Sequence, residues 1–449
     1  MSCGSDAERK GLYDARVSVG MTVVAIDDTD SRERGMCTTY AAALVAERLG
    51  ASAVSGRFLV RLNPAVPHKT RGNAALALVT DATPERALEA ARAVVDREAM
   101  TDDDRTNPGI VVAPDTPTDV PDDVAAWTTR AMRELLDPDE ARDRCSRHGY
   151  PTEAWGTGQG LVGALAAVGA PRAWERTGLD PTYETISYRE RDRWGTPRDV
   201  DADSLFAAAD EWYPTVWDTV DRGTGEPVAV PNAPGPVLHG IRGDDPEATR
   251  ACAAAVESES VERRVTFTTN QGTDAHLADG TLPDVRDGRA YRLDATVTRP
   301  PETREGGHVF LGVTDHDAAP DFVLDCAAFA PTGRFRDRVR ALRVGDDLTA
   351  CGEVTDGTLK LEKFAVRSLV RTERVTPACP ECGRRMESAG RGQGYRCRGD
   401  CGTTASGKVE RGLDRNLERG WYEVPPAARR HVAKPLVRGG FDGPAHPER

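Results

Sequence analysis

The sequence predicts an α+β protein built from several domains, and three observations carry that expectation. The chain has 449 residues, enough for three or four units at roughly 100–200 residues each. Its first third alternates plain strands with Ala-rich helical stretches. Its last third changes character twice, first into short strands at close spacing and then into two pairs of cysteines.

Taken in chain order, residues 1–20 carry no periodic pattern, and Met21 opens the first plain strand, Met21-Thr-Val-Val-Ala-Ile26. Residues 1–20 therefore read as a disordered extension, or as sequence ahead of the true start. A helix is predicted over 39–49, a strand over 57–62 that stops at Asn63-Pro64, an apolar strand over 74–80, an amphipathic Ala-rich helix over 84–98 and a short buried strand over 109–113. Beyond Trp155 lies Gly156-Thr-Gly-Gln-Gly160, followed by the helical run LVGALAAVGA. A second region starts near 171 and mixes a strand (182–189) with a helix (247–257), broken by a Pro- and Gly-rich loop over 225–236. From 288 to 370 five short strands with a helical insert at 335–342 fit an OB-type barrel, and the pattern alone also admits another small barrel or sandwich.

Charge is distributed unevenly. The chain holds 59 Lys and Arg against 72 Asp and Glu, a net charge of −13, which excludes a generally basic nucleic-acid binder. Residues 371–449 nevertheless carry sixteen Lys and Arg against ten Asp and Glu, a net of +6, which leaves −19 for residues 1–370. Only six of the basic residues are Lys and 53 are Arg. An acidic, Lys-poor surface suits molar salt, where screening shortens to ~3 Å; a GC-rich genome would give the same bias. Mean hydropathy is −0.51, no apolar run nears the ~18 residues of a membrane span, and the N-terminal residues lack the basic-then-apolar pattern of a signal peptide. A soluble, cytoplasmic protein is expected.

Four of the ten cysteines form Cys379-Pro-Glu-Cys382 and Cys397-Arg-Gly-Asp-Cys401, two knuckle-type pairs able to close a tetrahedral thiolate site on one structural Zn²⁺. Arg384, Arg385, Arg391, Arg396, Arg398 and Tyr395 surround them, as a phosphate-contacting and base-stacking surface or as a plain solvated charge run. At the end of the first strand stands Asp27-Asp28-Thr29-Asp30-Ser31. Hard carboxylate oxygens here suit Mg²⁺ beside triphosphate oxygens, with Asp28 and Asp30 the better pair because strand side chains alternate; a capping turn is the other reading. His68-Lys69-Thr70-Arg71-Gly72-Asn73 between two strands is a plausible anion cradle. No G-x-x-x-x-G-K-[ST] occurs, so a P-loop NTPase is excluded. Gly156–Gly160 before a helix can offer backbone amides to phosphate, or serve only as a turn. An acidic metal site, an OB barrel and a zinc ribbon with a basic surround together read as an enzyme that grips RNA or single-stranded nucleic acid with its C-terminal half.

The run Ile26-Asp-Asp-Thr-Asp-Ser31 with Gly35-Met-Cys-Thr-Thr-Tyr40 resembles the opening of the archaeal 2-agmatinylcytidine synthetases that act on the minor isoleucine tRNA. So do Arg61-Leu-Asn-Pro64, Pro67-His-Lys-Thr-Arg-Gly-Asn73, Asn107-Pro-Gly109, Gly160-Leu-Val-Gly-Ala-Leu-Ala166, Thr182-Tyr-Glu184, Pro231-Asn232 and Arg430-His431 with Lys434-Pro435. The resemblance is collinear from Met21 to the C-terminus. It implies a kinase-like α/β domain (21–170), a ferredoxin-like domain (171–285), an OB-fold (286–370), a zinc ribbon (375–405) and a basic C-terminal segment (406–449) after the extension 1–20. It also implies the activity, a ligase forming a C–N bond. Agmatine is joined to C2 of the wobble cytidine of a CAU-anticodon isoleucine tRNA, so that AUA is decoded; a phosphorylated cytidine O2 is the intermediate, and ATP ends as AMP and phosphate. On this resemblance Asp27, Asp28 and Asp30 hold Mg²⁺ and ATP, Lys69, Thr70, Arg71, Gly72 and Asn73 meet phosphates, and Thr38 is autophosphorylated. Glu184 and Asp218 are the carboxylates offered to the agmatine guanidinium, and Cys379, Cys382, Cys397 and Cys401 hold Zn²⁺. Neither a membrane nor a protein partner is implied. Two departures stand out: Cys397 and Cys401 are separated by three residues where the family commonly has two, and Gln159 stands where it often has Arg. The reading from a different class is a non-catalytic OB and zinc-ribbon RNA- or ssDNA-binding protein with an acidic scaffold.

Overall fold

Strand β1 (Thr22–Asp27) is buried along its whole length, because helices cover both faces of the sheet in which it lies. The computed structural model describes residues 20–67, 69, 72–315, 322–431 and 433–449; the extension expected at 1–20 falls, apart from Gly20, outside them. After β1 come α1 (Thr38–Leu49), β2 (Val54–Arg61), β3 (Ala74–Thr80), α2 (Pro84–Glu98) and β4 (Gly109–Ala113). They form a βαββαβ unit with strand order β4-β1-β3-β2, every neighbour antiparallel. α1 and α2 pack on one face. On the other lie α3 (Asp122–Ala131), α4 (Pro138–His148) and α5 (Gly160–Thr177), while β5 (Thr152–Ala154) extends the edge beside β4.

The second unit repeats that plan. β6 (Thr182–Arg189), α6 (Ala202–Trp212), β7 (Val216–Trp217), β8 (Val237–Gly243), α7 (Pro246–Ala255) and β9 (Val261–Thr269) give the order β9-β6-β8-β7, again all antiparallel. This is the ferredoxin-like arrangement that the resemblance implied. Asp201 and Asp245 cap α6 and α7 by accepting from the amides of Ser204 and Ala248 at 2.7 Å each, which satisfies donors that a helix start leaves open. The units meet edge to edge: β2 and β9 pair in parallel at Phe58↔Thr268 and Leu59↔Thr269, making one nine-stranded sheet.

β10 (Leu277–Asp279) leads into the barrel, formed by β11 (Arg289–Thr303), β12 (Val309–Thr314), β13 (Leu324–Ala328), α8 (Phe335–Arg340), β14 (Asp347–Thr355) and β15 (Thr358–Ser368). β11 pairs with β12 and β14, β12 with β13 and β14 with β15 antiparallel, and β13 closes onto β15 in parallel. That is the OB closure, with α8 setting Phe335 and Val339 into the core between the third and fourth strands. β16 (Thr372–Val375) then pairs with β20 (Val409–Gly412) as the stalk of the ribbon, whose small sheet is β17 (Glu387–Ser388), β18 (Tyr395–Arg396) and β19 (Thr404–Ala405). The chain after the stalk is no loose basic tail. β21 (Gly420–Glu423) pairs with β15, and β22 (Ala445–His446) pairs with β21.

Ion pairs fasten the returning segment. Arg415 is 2% exposed and Asp346 0%, their closest contact 2.6 Å; Asp346 also accepts the amides of Arg343 and Val370, at 2.8 Å each. Removing one member of such a pair strands a buried charge, at about 3–5 kcal/mol. We therefore expect Arg415→Ala to lower unfolding free energy in denaturant titration by about that amount, whereas Arg411→Ala, whose pair with Glu373 is mostly exposed, leaves the midpoint unchanged within error. A pH dependence follows from His239 on β8. It is fully buried, neither ring nitrogen has a hydrogen-bond partner among the described residues, and burial with the nearby Arg264 lowers its pKa to about 4. The unfolded chain binds the extra proton between about 6.5 and 4, so this part of the stability is present above ~6.5 and lost as pH falls toward 4. Thermal melts from pH 7.5 to 4.5 should show a smaller loss for His239→Leu than for the parent.

Candidate active site

β1 ends at Asp27, and the chain turns there because Asp28 takes the left-handed conformation, φ 58°. The turn directs consecutive carboxylates into one region, which an uninterrupted strand would not do. Asp27 is 8% exposed; its Oδ1 accepts the Asp28 amide at 2.7 Å. Oδ2 of Asp28 accepts the Asn107 amide at 2.8 Å. Burial, and then the charge of Asp28, push the Asp27 carboxyl well above its ordinary value. Burial is also the first cause that takes Asp28 to about 7, against the Asn107 hydrogen bond. Among the described residues no Lys or Arg pairs with either. Carboxylate oxygens are the ligand type that Mg²⁺ takes, although among the described residues only the four cysteines converge as a group of three or more metal-ligating side chains.

The glycine loop that precedes α5 is tied to this turn. Asn107 Oδ1 accepts the Thr157 amide at 2.9 Å and its carbonyl accepts the Gly160 amide at 2.9 Å. Gly109 and Gly160 pack backbone on backbone: a Cβ on Gly160 would lie 2.4 Å from the Gly109 nitrogen. One turn along α5, a Cβ on Gly163 would lie 1.9 Å from Asp27 Oδ2. Only glycine lets the helix pass the carboxylate. The loop thus buttresses Asp28 through Asn107, and Gln159 sits on the cleft wall.

Thr38 is the first residue of α1. The N-cap, Cys37, supplies no side-chain cap, so the positive end of a twelve-residue helix opens beside the carboxylates. Thr38 Oγ1 accepts from Thr29 Oγ1 at 3.2 Å and from the Thr29 amide at 3.4 Å. Asp27, Asp28, Asp30 and Thr38 all line one cleft of about 270 Å³ between the two sheet units.

The opposite wall is cationic. Glu184 on β6 accepts from Arg61 at 3.1 Å and from Arg242 at 3.2 Å. Burial alone would raise its pKa, but Arg242 and Arg61 outweigh it and hold the carboxyl below its ordinary value. Arg61 is further fixed by Gln271, which accepts its Nε–H at 2.8 Å. Arg61 and Arg242 both face the cleft. Lys69, Gly72 and Asn73 are on the same cleft; Lys69 donates to the Pro64 carbonyl, and Asn73 donates to the Asn63 carbonyl at 2.6 Å. Thr70 and Arg71 lie outside the described residues.

Asp218 lies elsewhere. It is buried, accepts from Arg429, and borders a separate small pocket beneath α6, away from the cleft wall that holds Glu184. Arg429 also pairs with Glu423 at 2.8 Å, so Asp218 belongs to the clamp between the C-terminal segment and the second unit. Sequence reasoning assigned no site role to Arg61, Arg242, Gln271 or Gly163. An Arg two residues before Asn63-Pro64 was a visible signal for Arg61; the pattern around Arg242 held none.

At the ribbon, the four sulfurs of Cys379, Cys382, Cys397 and Cys401 all lie within 4.8 Å of one another, with separations of 3.8, 3.5 and 3.7 Å for 379–401, 382–397 and 397–401. A tetrahedron with metal–sulfur distances of ~2.3 Å has edges of about 3.8 Å, so the cluster fits zinc. The extra residue in the second pair is absorbed at Gly399, whose amide donates to Cys397 Sγ at 3.3 Å.

Family models described as the TiaS TCKD domain, the TiaS FLD domain and the TiaS C-terminal zinc ribbon domain match residues 23–82, 158–276 and 376–417. The chain is 50% identical to TiaS of Haloquadratum walsbyi, a 2-agmatinylcytidine synthetase of the second isoleucine tRNA, covering 96% of this chain and 100% of that one. It is 45% identical to the protein of the same name from Methanosarcina mazei, over 93% and 97% of the two chains. Among solved structures, TiaS in complex with the second isoleucine tRNA and ATP superposes with a TM-score of 0.85 at 40% identity. TiaS in complex with that tRNA, AMPCPP and agmatine superposes with 0.83 at 37%. Each match covers 96% of this chain and all of the other. The chain belongs to the TiaS family of 2-agmatinylcytidine synthetases, which act on the second isoleucine tRNA.

Proposed function

We propose that this chain uses ATP to ligate agmatine to C2 of the wobble cytidine in the CAU anticodon of isoleucine tRNA, so that the tRNA decodes AUA. The observation that carries the reading is one cleft in which buried Asp27 and half-buried Asp28, with no Lys or Arg paired to either among the described residues, and the open start of α1 face an arginine-lined wall. A scaffold for a non-catalytic RNA binder has no use for carboxylates whose burial costs stability, and the kinship supports the ligase.

The chemistry requires the cytidine oxygen to leave. Passing the γ-phosphoryl group of ATP to O2 leaves ADP and makes C2 electrophilic; the primary amine of agmatine adds there, loses a proton, and the oxygen departs within inorganic phosphate, while AMP as the final nucleotide requires water to cleave the remaining α–β bond and release a second phosphate. In our reading Asp27, Asp28 and Asp30 hold Mg²⁺, which supplies charge neutralisation to the triphosphate when bound. Thr38 sits where the α1 amides can hold a phosphoryl group. Arg61 and Arg242, fixed by Glu184, with Lys69, Gly72 and Asn73 meet developing phosphate charge; Thr70 and Arg71 are assigned with that loop. Glu184 already serves two guanidiniums, so a third there would meet net positive charge, and Asp218 is committed to Arg429 outside the cleft lining. The described residues contain no helix long and apolar enough to cross a membrane, and we place the activity in the cytoplasm, where tRNA is modified.

Labelled agmatine, ATP and CAU-anticodon tRNA test this directly: incorporation with release of AMP is expected, and its absence would refute the ligase. Asp28→Asn should cut incorporation at least ~100-fold, as expected for a lost metal ligand, while tRNA affinity by filter binding stays within about twofold; wild-type turnover in that variant would overturn the metal assignment. Stripping zinc with a chelator, or Cys382→Ser, should melt the ribbon in isotope-edited NMR while Gly160–Thr177 and the nine-stranded sheet keep their amide protection.

A further inference from the structure

The Pro- and Gly-rich loop between β7 and β8 gives the cleft an apolar wall. Val228, Ala229, Pro231, Pro234 and Val237 all line it. The root of the loop is stiff: Asp221 accepts the amides of Gly223 at 2.9 Å and Thr224 at 3.1 Å. Ala229 is tied on both sides, its amide donating to the Thr219 carbonyl at 2.9 Å and its carbonyl accepting the Gly240 amide at 3.0 Å. The tip, residues 231–235, is fastened by a side chain. Arg198 Nη2 donates to the Ala233 carbonyl at 2.7 Å and Arg198 Nε to the Val237 carbonyl at 2.7 Å, so one guanidinium clips the tip to the start of β8. Arg198 itself stands on a fixed stretch. Arg189 donates to the carbonyls of Thr196 and Pro197 at 2.8 and 3.0 Å, and Glu259 accepts the Asp199 amide at 3.0 Å.

The tip reaches the first unit at Gly35, whose carbonyl accepts the Ser31 amide at 2.9 Å and so closes the turn after the carboxylates. Gly35 has φ 94°, and a Cβ on it would lie 3.2 Å from Gly235 Cα. The two units thus meet main chain to main chain across the cleft. Its volume of about 270 Å³ is below the ~300–1,000 Å³ of sites that take one small ligand, yet a nucleotide, a cytidine and agmatine have to enter. Part of the wall must move, and a tip clipped by one side chain is the part able to do so. The chemistry also needs a cover. Once the cytidine O2 carries a phosphoryl group, water competes with agmatine for C2: its oxygen bonds to C2, its two protons leave, the bond from C2 to O2 breaks, and O2 departs within phosphate. Cytidine is then restored with a water oxygen, and a nucleotide has been consumed without product. An apolar wall keeps water from that step.

We propose that residues 231–235 are a lid over the cleft and that Arg198 is its latch, a positioning residue that keeps water from the phosphorylated cytidine until agmatine has reacted. This rests on the ligase reading, and the test separates the two. Nucleotide consumed is counted against labelled agmatine joined to the tRNA, in water enriched in oxygen-18. The intact protein should consume one nucleotide for each agmatine and leave the remaining wobble cytidine unlabelled. Arg198→Ala should consume about threefold more nucleotide per agmatine, or beyond, and mass spectrometry of the recovered tRNA should find oxygen-18 in the wobble cytidine. In that variant the amides of Asn232, Ala233 and Gly235 should exchange faster while Val237–Gly243 keep their protection. Arg198→Lys, a point charge in place of the fork, should fall between the two. Pro234→Gly loosens the tip and leaves Arg198 in place; it should uncouple in the same direction, and it carries the test if Arg198→Ala does not fold. The proposal is overturned if nucleotide consumption and agmatine joining fall together at an unchanged ratio in the folded variants, as they would for residues that only stabilise the fold. Excess consumption with no oxygen-18 in the cytidine overturns it as well. If the intact protein joins no agmatine, the ligase reading fails; if it does and the variants stay coupled, only the lid fails.

Discussion

The active site depends on the edge pairing of β2 with β9. Either βαββαβ unit alone would expose a bare strand edge, an invitation to pair with other chains; joined in parallel, the two edges consume each other. The pairing ends at Thr269, and the side chain of Asn270 continues it: Oδ1 accepts the Arg61 amide at 2.7 Å and Nδ2 donates to the Arg61 carbonyl at 3.0 Å. Arg61 is thereby held by main chain and side chain at once, with Gln271 and Glu184 on its guanidinium. The cleft is the space left between two units locked at this line.

That lock offsets an unfavourable arrangement beside it. Burying Asp27 and half-burying Asp28 with no paired cation among the described residues is unfavourable, and burial raises the pKa of both carboxyls. Such groups persist when the surrounding structure over-determines them. Here it does so through backbone contacts: the Asp28 turn is held by Asn107, Asn107 by Thr157 and Gly160, and the approach of α5 by Gly109, Gly160 and Gly163. The glycine loop before α5 is, in the fold, a support under a carboxylate.

Local patterns carried most of the architecture. The five barrel strands, the first-unit strands and helices and the cysteine pairs follow from period, turn residues and spacing, which depend on neighbours in sequence. Non-local facts were not legible. Nothing in 182–269 announces that its last strand adds to β2, since an edge strand looks the same whether its partner is its own unit or another. The same limit hid Arg242, which matters only because β8 lies beside β6 and so brings it to Glu184. Asp218 shows the reverse case. Its carboxylate drew attention in the sequence, but its partner is Arg429, 211 residues away.

The arginine excess changes meaning in the same way. As composition, 53 Arg against six Lys suits bidentate gripping of tRNA phosphates. In the fold, Arg189, Arg415 and Arg429 are fully or almost fully buried and committed to Glu259, Asp346 and the Asp218–Glu423 pair. Planar guanidiniums satisfy two carboxylate oxygens at once, which makes Arg the cation best suited to the interior of an acidic chain. These arginines are committed to the interior of the fold, so any arginine that meets RNA has to come from those left on the surface. The net charge of −13 then restricts where RNA can lie more than whether it binds, because the exposed carboxylates repel phosphate everywhere that these arginines are absent.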